Sequence, residues 1–321
     1  MIAVTGGAGF IGSVLVSELN KWGERDILIA DTLGSGSKFL NLRAKMYSQI
    51  MHPDVFLTRL RAGLVKPWAI VHLGAITDTD EEDADLLLSR NAHYSRMLAE
   101  IAIDQGIRFI YASSATVYGD GKQGCTDADD VTGSLMPLSA YAFSKWSFDV
   151  DVVRSQWSSK VAGLRLFNVF GPNEYHKGKM GSAVWHAWRQ AHVNRAVQLF
   201  ESDRPDYPDG TQSRDFVYVK DVAAVILWLL ENRNICGIFN VGTGTASTFN
   251  EMAAAVFSTL NKRCAIEYVS PPKPMKSSYQ YYTQAVLDKL RAAGCRHEFL
   301  PLDQAVLDFV CRHLESDNLY V

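Results

Sequence analysis

A short apolar run closed by spaced glycines constrains this chain more than any other feature in it. Met1–Gly12 reads MIAVTGGAGFIG. Ile2–Thr5 has the apolar character of a strand buried on both faces of a parallel sheet. Gly6, Gly9 and Gly12 follow, and Phe10, Ile11, Val14, Leu15 and Leu19 then carry one apolar helix face. A strand, a glycine turn and a helix N-terminus form an anion site, because unpaired N–H groups and the helix dipole point the same way. The spacing Gly6-x-x-Gly9-x-x-Gly12 is a variant of the dinucleotide fingerprint. In it Gly6 makes the tight turn, Gly9 lets a pyrophosphate approach, and Gly12 lets the helix lie close to the strand. A glycine triplet alone would signal only a turn; the strand before it and the amphipathic helix after it favour the cofactor reading.

At 321 residues and 47% hydrophobic, the chain can bury one nucleotide-binding core plus a smaller elaboration. A net charge of −3 argues against nucleic acid as the main partner. No apolar run reaches membrane-spanning length, so no membrane partner is expected. Met1 leads straight into the first strand, and the reading is a chain without a signal peptide. The five cysteines are scattered and form no C-x-x-C pair, which points to reduced thiols in a cytoplasmic protein with no metal site.

Strand and helix patterns then alternate. Asp26–Asp31 reads as a second strand ending in Asp31, 19 residues after Gly12, where an acid commonly holds the adenosine ribose. An acid there favours NAD, whereas Lys38, Arg43 and Lys45 nearby could offset its charge and admit NADP. Ala69–Gly74 is a further strand, ending in the small residues Gly74 and Ala75 that would let a cofactor lie against the backbone; Leu73 and Thr77 beside them are also cofactor candidates. The acidic run Asp78–Asp85 reads as a solvated loop and the favourable start of a helix. Asn91–Gln105 is helical, and Arg108–Ser114 is a strand ending in hydroxyls. The alternation predicts a Rossmann-type, doubly wound parallel α/β sheet with a smaller C-terminal α/β substrate domain. Ligands then sit at the carboxyl ends of the strands, where Gly6, Asp31, Ala75 and Ser114 all fall.

Pro137–Trp157 reads as a long helix carrying Tyr141-Ala-Phe-Ser-Lys145. Residues i and i+4 share a face, so phenol and ammonium are directed into one space. A nearby cation favours the phenolate and brings tyrosine into range for proton transfer. Tyr118/Lys122 and Tyr175/Lys179 have the same spacing but run through glycine in loop-like sequence. Ser114, with Thr116 in reserve, could bond the same substrate oxygen.

TGGAGFIG, YASSATVYG, YAFSK and RDFVYVKDV resemble the extended short-chain dehydrogenase/reductase family, whose NAD-dependent epimerases and dehydratases act on nucleotide-activated sugars. Phe167–Ser182, Gly237–Gly244 and Tyr279–Ala293 are similar to the branch that epimerises ADP-linked heptoses. The resemblance implies that a C6″ hydroxyl is oxidised transiently and that hydride returns to the opposite face from the same NADP (NAD being possible). It assigns catalysis to Tyr141, Lys145, Ser114 and a second acid/base group, Lys177. It assigns the cofactor to Phe10, Ile11, Asp31, Thr32, Lys38, Asn91, Lys145, Val169 and Lys177, beside the glycines. For an ADP-sugar substrate it implies Ser114, Asn168, Lys179, His186, Phe200, Glu201, Ser202, Asp203, Arg214 and Tyr279. It further implies residues 1–167 with a return at about 215–244 as the cofactor domain, and 168–214 with 245–321 as the sugar-binding domain. Homo-oligomers, pentamers among them, are also implied.

The chain departs from the family pattern at His52-Pro53, where a cofactor lysine is common, at Asp78, and in the longer Arg204–Ser213 loop. These bear on specificity more than on reaction class. Another nucleotide-sugar epimerase, such as a UDP-sugar 4-epimerase, is the competing enzyme. A 4,6-dehydratase is disfavoured because Ala115 and Thr116 supply no acid/base pair. A non-catalytic NAD(P)-binding protein would have no use for a helix-borne Tyr/Lys pair.

Overall fold

The computed structural model describes residues 1–271, 279–317 and 319–321. The opening pattern folds as read: β1 (Ile2–Thr5) enters the glycine turn and α1 (Phe10–Lys21) leaves it. β2 (Ile27–Ala30), β3 (Gln49–Met51), α2 (Pro53–Arg61) and β4 (Ala69–His72) follow. Asp83 caps α3 (Ala84–Leu87) by accepting from the Leu86 N–H, so the acidic run does begin a helix. A π turn at Leu88–His93 joins it to α4 (Tyr94–Asp104), so the helix expected from Asn91 starts about two turns earlier. β5 occupies Arg108–Ser114, and α5 spans Ala140–Arg154 with Ser139 as its N-cap.

β6 (Ala162–Leu166) completes the stretch before β7 (Asn168–Phe170). Next come α6 (Ala183–His192), β8 (Val197–Phe200), β9 (Ser213–Arg214), β10 (Phe216–Tyr218) and α7 (Val219–Glu231). β11 (Gly237–Val241), β12 (Ser247–Thr248), α8 (Phe249–Thr259) and β13 (Ile266–Val269) precede α9 (Asp288–Ala292) and α10 (Leu302–Phe309).

Seven strands form one parallel sheet in the order β11-β6-β5-β4-β1-β2-β3. The order reverses between β1 and β4, and the crevice at such a switch point is where a doubly wound fold binds ligands. Three two-stranded sheets, β7-β10, β9-β12 and β8-β13, lie outside it. One core joins the sheet to α1 and α7 through Leu15, Leu19, Val222 and Ile226. A second joins Val184, Met252, Val256, Val306 and Phe309 from α6, α8 and α10, and Phe10 and Val14 of α1 enter it as well. α1 is therefore a strut shared by both cores, which ties the glycine turn to the C-terminal helices.

Candidate active site

One cavity of about 740 Å³ runs along the carboxyl edge of the sheet. Gly6, Gly9, Phe10, Ile11 and Gly12 line its first wall. Gly6 has φ +68°, and a Cβ there would lie 2.7 Å from the Gly74 nitrogen. Gly12 could not carry a side chain either, since its Cβ would meet the Gly6 carbonyl oxygen at 2.2 Å. Its close contact is thus with the turn rather than with the strand. Gly9 differs: its Cβ would point into space bounded only by the Gly6 carbonyl at 3.1 Å and Lys38 at 4.0 Å. No side chain caps α1. A bare Gly9 backbone on the cavity wall and an uncapped helix start fit a pyrophosphate.

At the end of β2, Asp31 accepts from the Ala8 N–H at 2.9 Å, the Thr32 N–H at 2.7 Å and the Lys38 ammonium at 2.6 Å. Thr32 and Lys38 share the cavity wall. Leu73, Gly74, Ala75 and Thr77 form the wall after β4. Asn91 lies behind it rather than on it. Its amide bonds both the N–H and the carbonyl of Ile76, at 2.9 and 3.0 Å, and donates to Ser144 at 3.0 Å, fastening the loop to α5.

Ser114, Tyr141 and Lys145 converge on the same cavity from β5 and α5. Burial pushes the Tyr141 phenol above its ordinary range, and the neighbouring Ser114 hydroxyl opposes that. The Lys145 ammonium donates to the Ala112 carbonyl at 2.8 Å. Burial lowers it to about 8 against the opposing charge of Asp149.

Behind this pair stands a network that motif reading missed. Arg165 and Asp149, both 0% exposed, bond at 2.9 Å. Asp149 also accepts from Tyr111 at 3.0 Å and Ser113 at 2.9 Å, and Arg165 donates to Tyr118 and Thr132. Its signal was present as a lone arginine in the apolar strand AGLRL and an acid one turn beyond Lys145.

Across the cavity, the Lys177 ammonium stands 5.5 Å from the centre of the Phe10 ring. Burial lowers its proton affinity and Glu174 opposes that. Asn168 and Val169 line the wall beside it. Lys179 lies outside the lining; it is 69% exposed and pairs with Asp80 at 2.8 Å. His186 meets the Lys179 carbonyl at 3.2 Å and is likewise off the wall.

The remaining substrate candidates gather at a separate small hollow lined by Phe200, Glu201, Asp203, Tyr279 and Tyr281. Ser202 bonds Asp209 next to it. Arg214 is buried between Phe249 and Tyr279, with its guanidinium carbon 5.7 and 5.2 Å from their rings. Phe249 faces the main cavity, so Arg214 sits one ring away from it. In the lengthened loop, Arg204 stacks on Tyr207 and Tyr281. His52, Pro53, Arg90, His176 and Gln280 also line the main cavity. No spacing motif joins them, because they arrive from four separate segments.

Residues 2–242 match the model of the NAD dependent epimerase/dehydratase family. The chain belongs to that family. It is 45% identical over 324 residues to the ADP-L-glycero-D-manno-heptose-6-epimerase of Nitratidesulfovibrio vulgaris, covering 100% of both chains. The solved Helicobacter pylori ADP-L-glycero-D-manno-heptose-6-epimerase superposes with a TM-score of 0.76 at 26% identity, over 97% of this chain and 95% of that one. The Thermus thermophilus UDP-glucose 4-epimerase solved with NAD gives 0.76 at 26% identity, over 96% and 97%. Family membership accounts for the Rossmann sheet. Among the described residues, no helix is long and apolar enough to cross a membrane, and no cluster of His, Cys, Asp or Glu could hold a metal ion.

Proposed function

We propose that this chain interconverts ADP-D-glycero-D-manno-heptose and ADP-L-glycero-D-manno-heptose at C6″, with NADP as its resident cofactor. One observation carries the reading: Tyr141 with Ser114 and Lys177 reach a single cavity from different elements. Inversion of a carbinol carbon calls for proton handling on two sides of one oxygen, and this arrangement supplies it. The full-length identity to a heptose epimerase supports the sugar and the base.

The glycine wall, Asp31 and Lys145 would hold the dinucleotide, and Lys38 is the cation that would meet a 2′-phosphate. When bound, the nicotinamide supplies reversible hydride acceptance, so no net oxidant is consumed. Tyr141, in its phenolate form, would take the C6″ hydroxyl proton while Ser114 holds the oxygen. Rotation about C5″–C6″ presents the other face of the ketone, and Lys177 gives a proton to the oxygen in its new position. Lys145 orients the ribose. Residues 1–167 with about 215–244 form the cofactor-binding part, and 168–214 with 245–321 the sugar-binding part, where Arg214 awaits the diphosphate. We place the enzyme in the cytoplasm as a homo-oligomer; its cysteines are all unpaired.

The test is epimerisation in deuterium oxide with Tyr141→Phe and Lys177→Met alongside. Each variant is expected to keep its dinucleotide, identified by mass after denaturation, and to lose about 10²–10⁴-fold in rate. Product C6″ is expected to stay free of deuterium. Deuterium at C6″ would defeat the hydride route, and turnover of UDP-glucose in place of the ADP-heptose would favour the 4-epimerase reading. A Lys177 variant changed only in KM would reduce that residue to a phosphate ligand.

A further inference from the structure

A carboxylate shut off from solvent lies behind the Lys177 loop. Glu174 is 0% exposed. It accepts from the Gly171 N–H at 3.0 Å, the Ser182 hydroxyl at 2.8 Å and the Ser182 N–H. Gly171 and Ser182 are the two feet of the segment carrying His176-Lys177-Gly178, so one side chain ties both feet together. A main-chain bond adds to this, as the Glu174 carbonyl accepts from the Lys177 N–H at 2.9 Å. Ser182 also caps α6, accepting from the Trp185 N–H at 3.1 Å, which puts the carboxylate at the positive end of a ten-residue helix.

These donors reduce the cost of burying the carboxylate, but none of them brings a formal charge. Burial pushes the Glu174 carboxyl above its ordinary range; the Ser182 and Gly171 donors, and then Lys177, oppose that, while Glu174 in turn opposes the downward push of burial on Lys177. Tyr175, on the same loop, also feels Glu174. His176 lies beside Lys177 and feels Lys38 and Asp31 from the opposite wall. The Phe10 ring that faces Lys177 is apolar apart from its π face.

We propose that Glu174 is the positioning residue for Lys177: it closes the loop at both feet and sets its carboxyl group beneath the segment that holds the ammonium against the Phe10 ring. This rests on the acid/base reading of Lys177 given above. The loop geometry supplies the placement, and the carboxyl group opposes the downward push of burial on Lys177.

The experiment labels the full-length protein's lysines with ¹³C-methyl groups and follows Lys177 by NMR, its signal identified by its loss in Lys177→Met. Glu174→Gln is expected to raise the Lys177 acid dissociation constant about tenfold or more. Glu174→Asp is expected to restore part of that, with retained dinucleotide unchanged in both. The limb of the epimerisation pH profile that belongs to Lys177 moves to lower pH in step. An unchanged Lys177 titration in a folded Glu174→Gln protein overturns the proposal. Should that variant not fold, Glu174→Asp decides, since it keeps the charge and shortens the reach. A fall in kcat of about tenfold or more at constant KM supports the proposal, and wild-type kcat overturns it. Normal epimerisation by Lys177→Met would sink the acid/base reading instead, while the titration still reports on Glu174.

Discussion

The Lys38 ammonium lies 2.6 Å from the Asp31 carboxylate and 3.0 Å from the Thr32 carbonyl. The cation that would welcome a 2′-phosphate is thus held by the acid that would repel one. Lys38→Ala is expected to weaken NADP about tenfold or more and NAD much less, because a charge-assisted contact is worth roughly 1.5–3 kcal/mol. Fluorescence titration with each cofactor measures the two constants. Equal weakening would remove Lys38 as the discriminator.

The glycines of the turn separate into two kinds, and substitutions should show it. At Gly9 a Cβ meets the Gly6 carbonyl oxygen at 3.1 Å, a much milder contact than at Gly12, so Gly9→Val is expected to fold and to retain no dinucleotide. At Gly12 a Cβ strikes the Gly6 carbonyl oxygen at 2.2 Å, so Gly12→Val is expected to damage the fold itself. Circular dichroism and absorbance of the released cofactor tell the two apart. Full cofactor content in Gly9→Val would refute the pyrophosphate assignment.

Asp149 neutralises a guanidinium that has no access to water. Asp149→Asn leaves Arg165 as an uncompensated buried charge, with an expected destabilisation of about 3–5 kcal/mol. Urea unfolding measures it. The same change also takes away the charge that favours protonated Lys145. A loss below about 1 kcal/mol would mean that Tyr118 and Thr132 alone satisfy the arginine.

His72 is buried between Thr5 Oγ1 at 2.6 Å and Ser95 Oγ at 2.7 Å. Burial, then the charge of Lys145, lowers its pKa to about 3. The unfolded chain therefore binds a proton below about pH 6.5 that the folded chain refuses. Its contribution to stability is complete above that pH and declines as pH falls toward 3. By pH 5 the decline amounts to about 2 kcal/mol. His72→Gln is expected to flatten the stability–pH curve between pH 6.5 and 4, whatever its stability at pH 7. An unchanged slope would show that other groups govern acid unfolding.

Local pattern alone determined a good deal of this protein. β1, the glycine turn, β5 and the Tyr141/Lys145 helix are legible because buried parallel strands are continuously apolar and helical neighbours recur at i+4. Asp31 and Ser114 could be placed at strand ends for the same reason. Tertiary structure alone decided which distant segments share a wall. It brought Lys177 to Phe10, set Arg165 against Asp149, and moved Lys179 and His186 off the main cavity. Periodicity gives the face of an element, but not the neighbour packed against that face. A buried charge finds its partner only when the sheet closes, because the cost of leaving it alone acts through space and not along the chain.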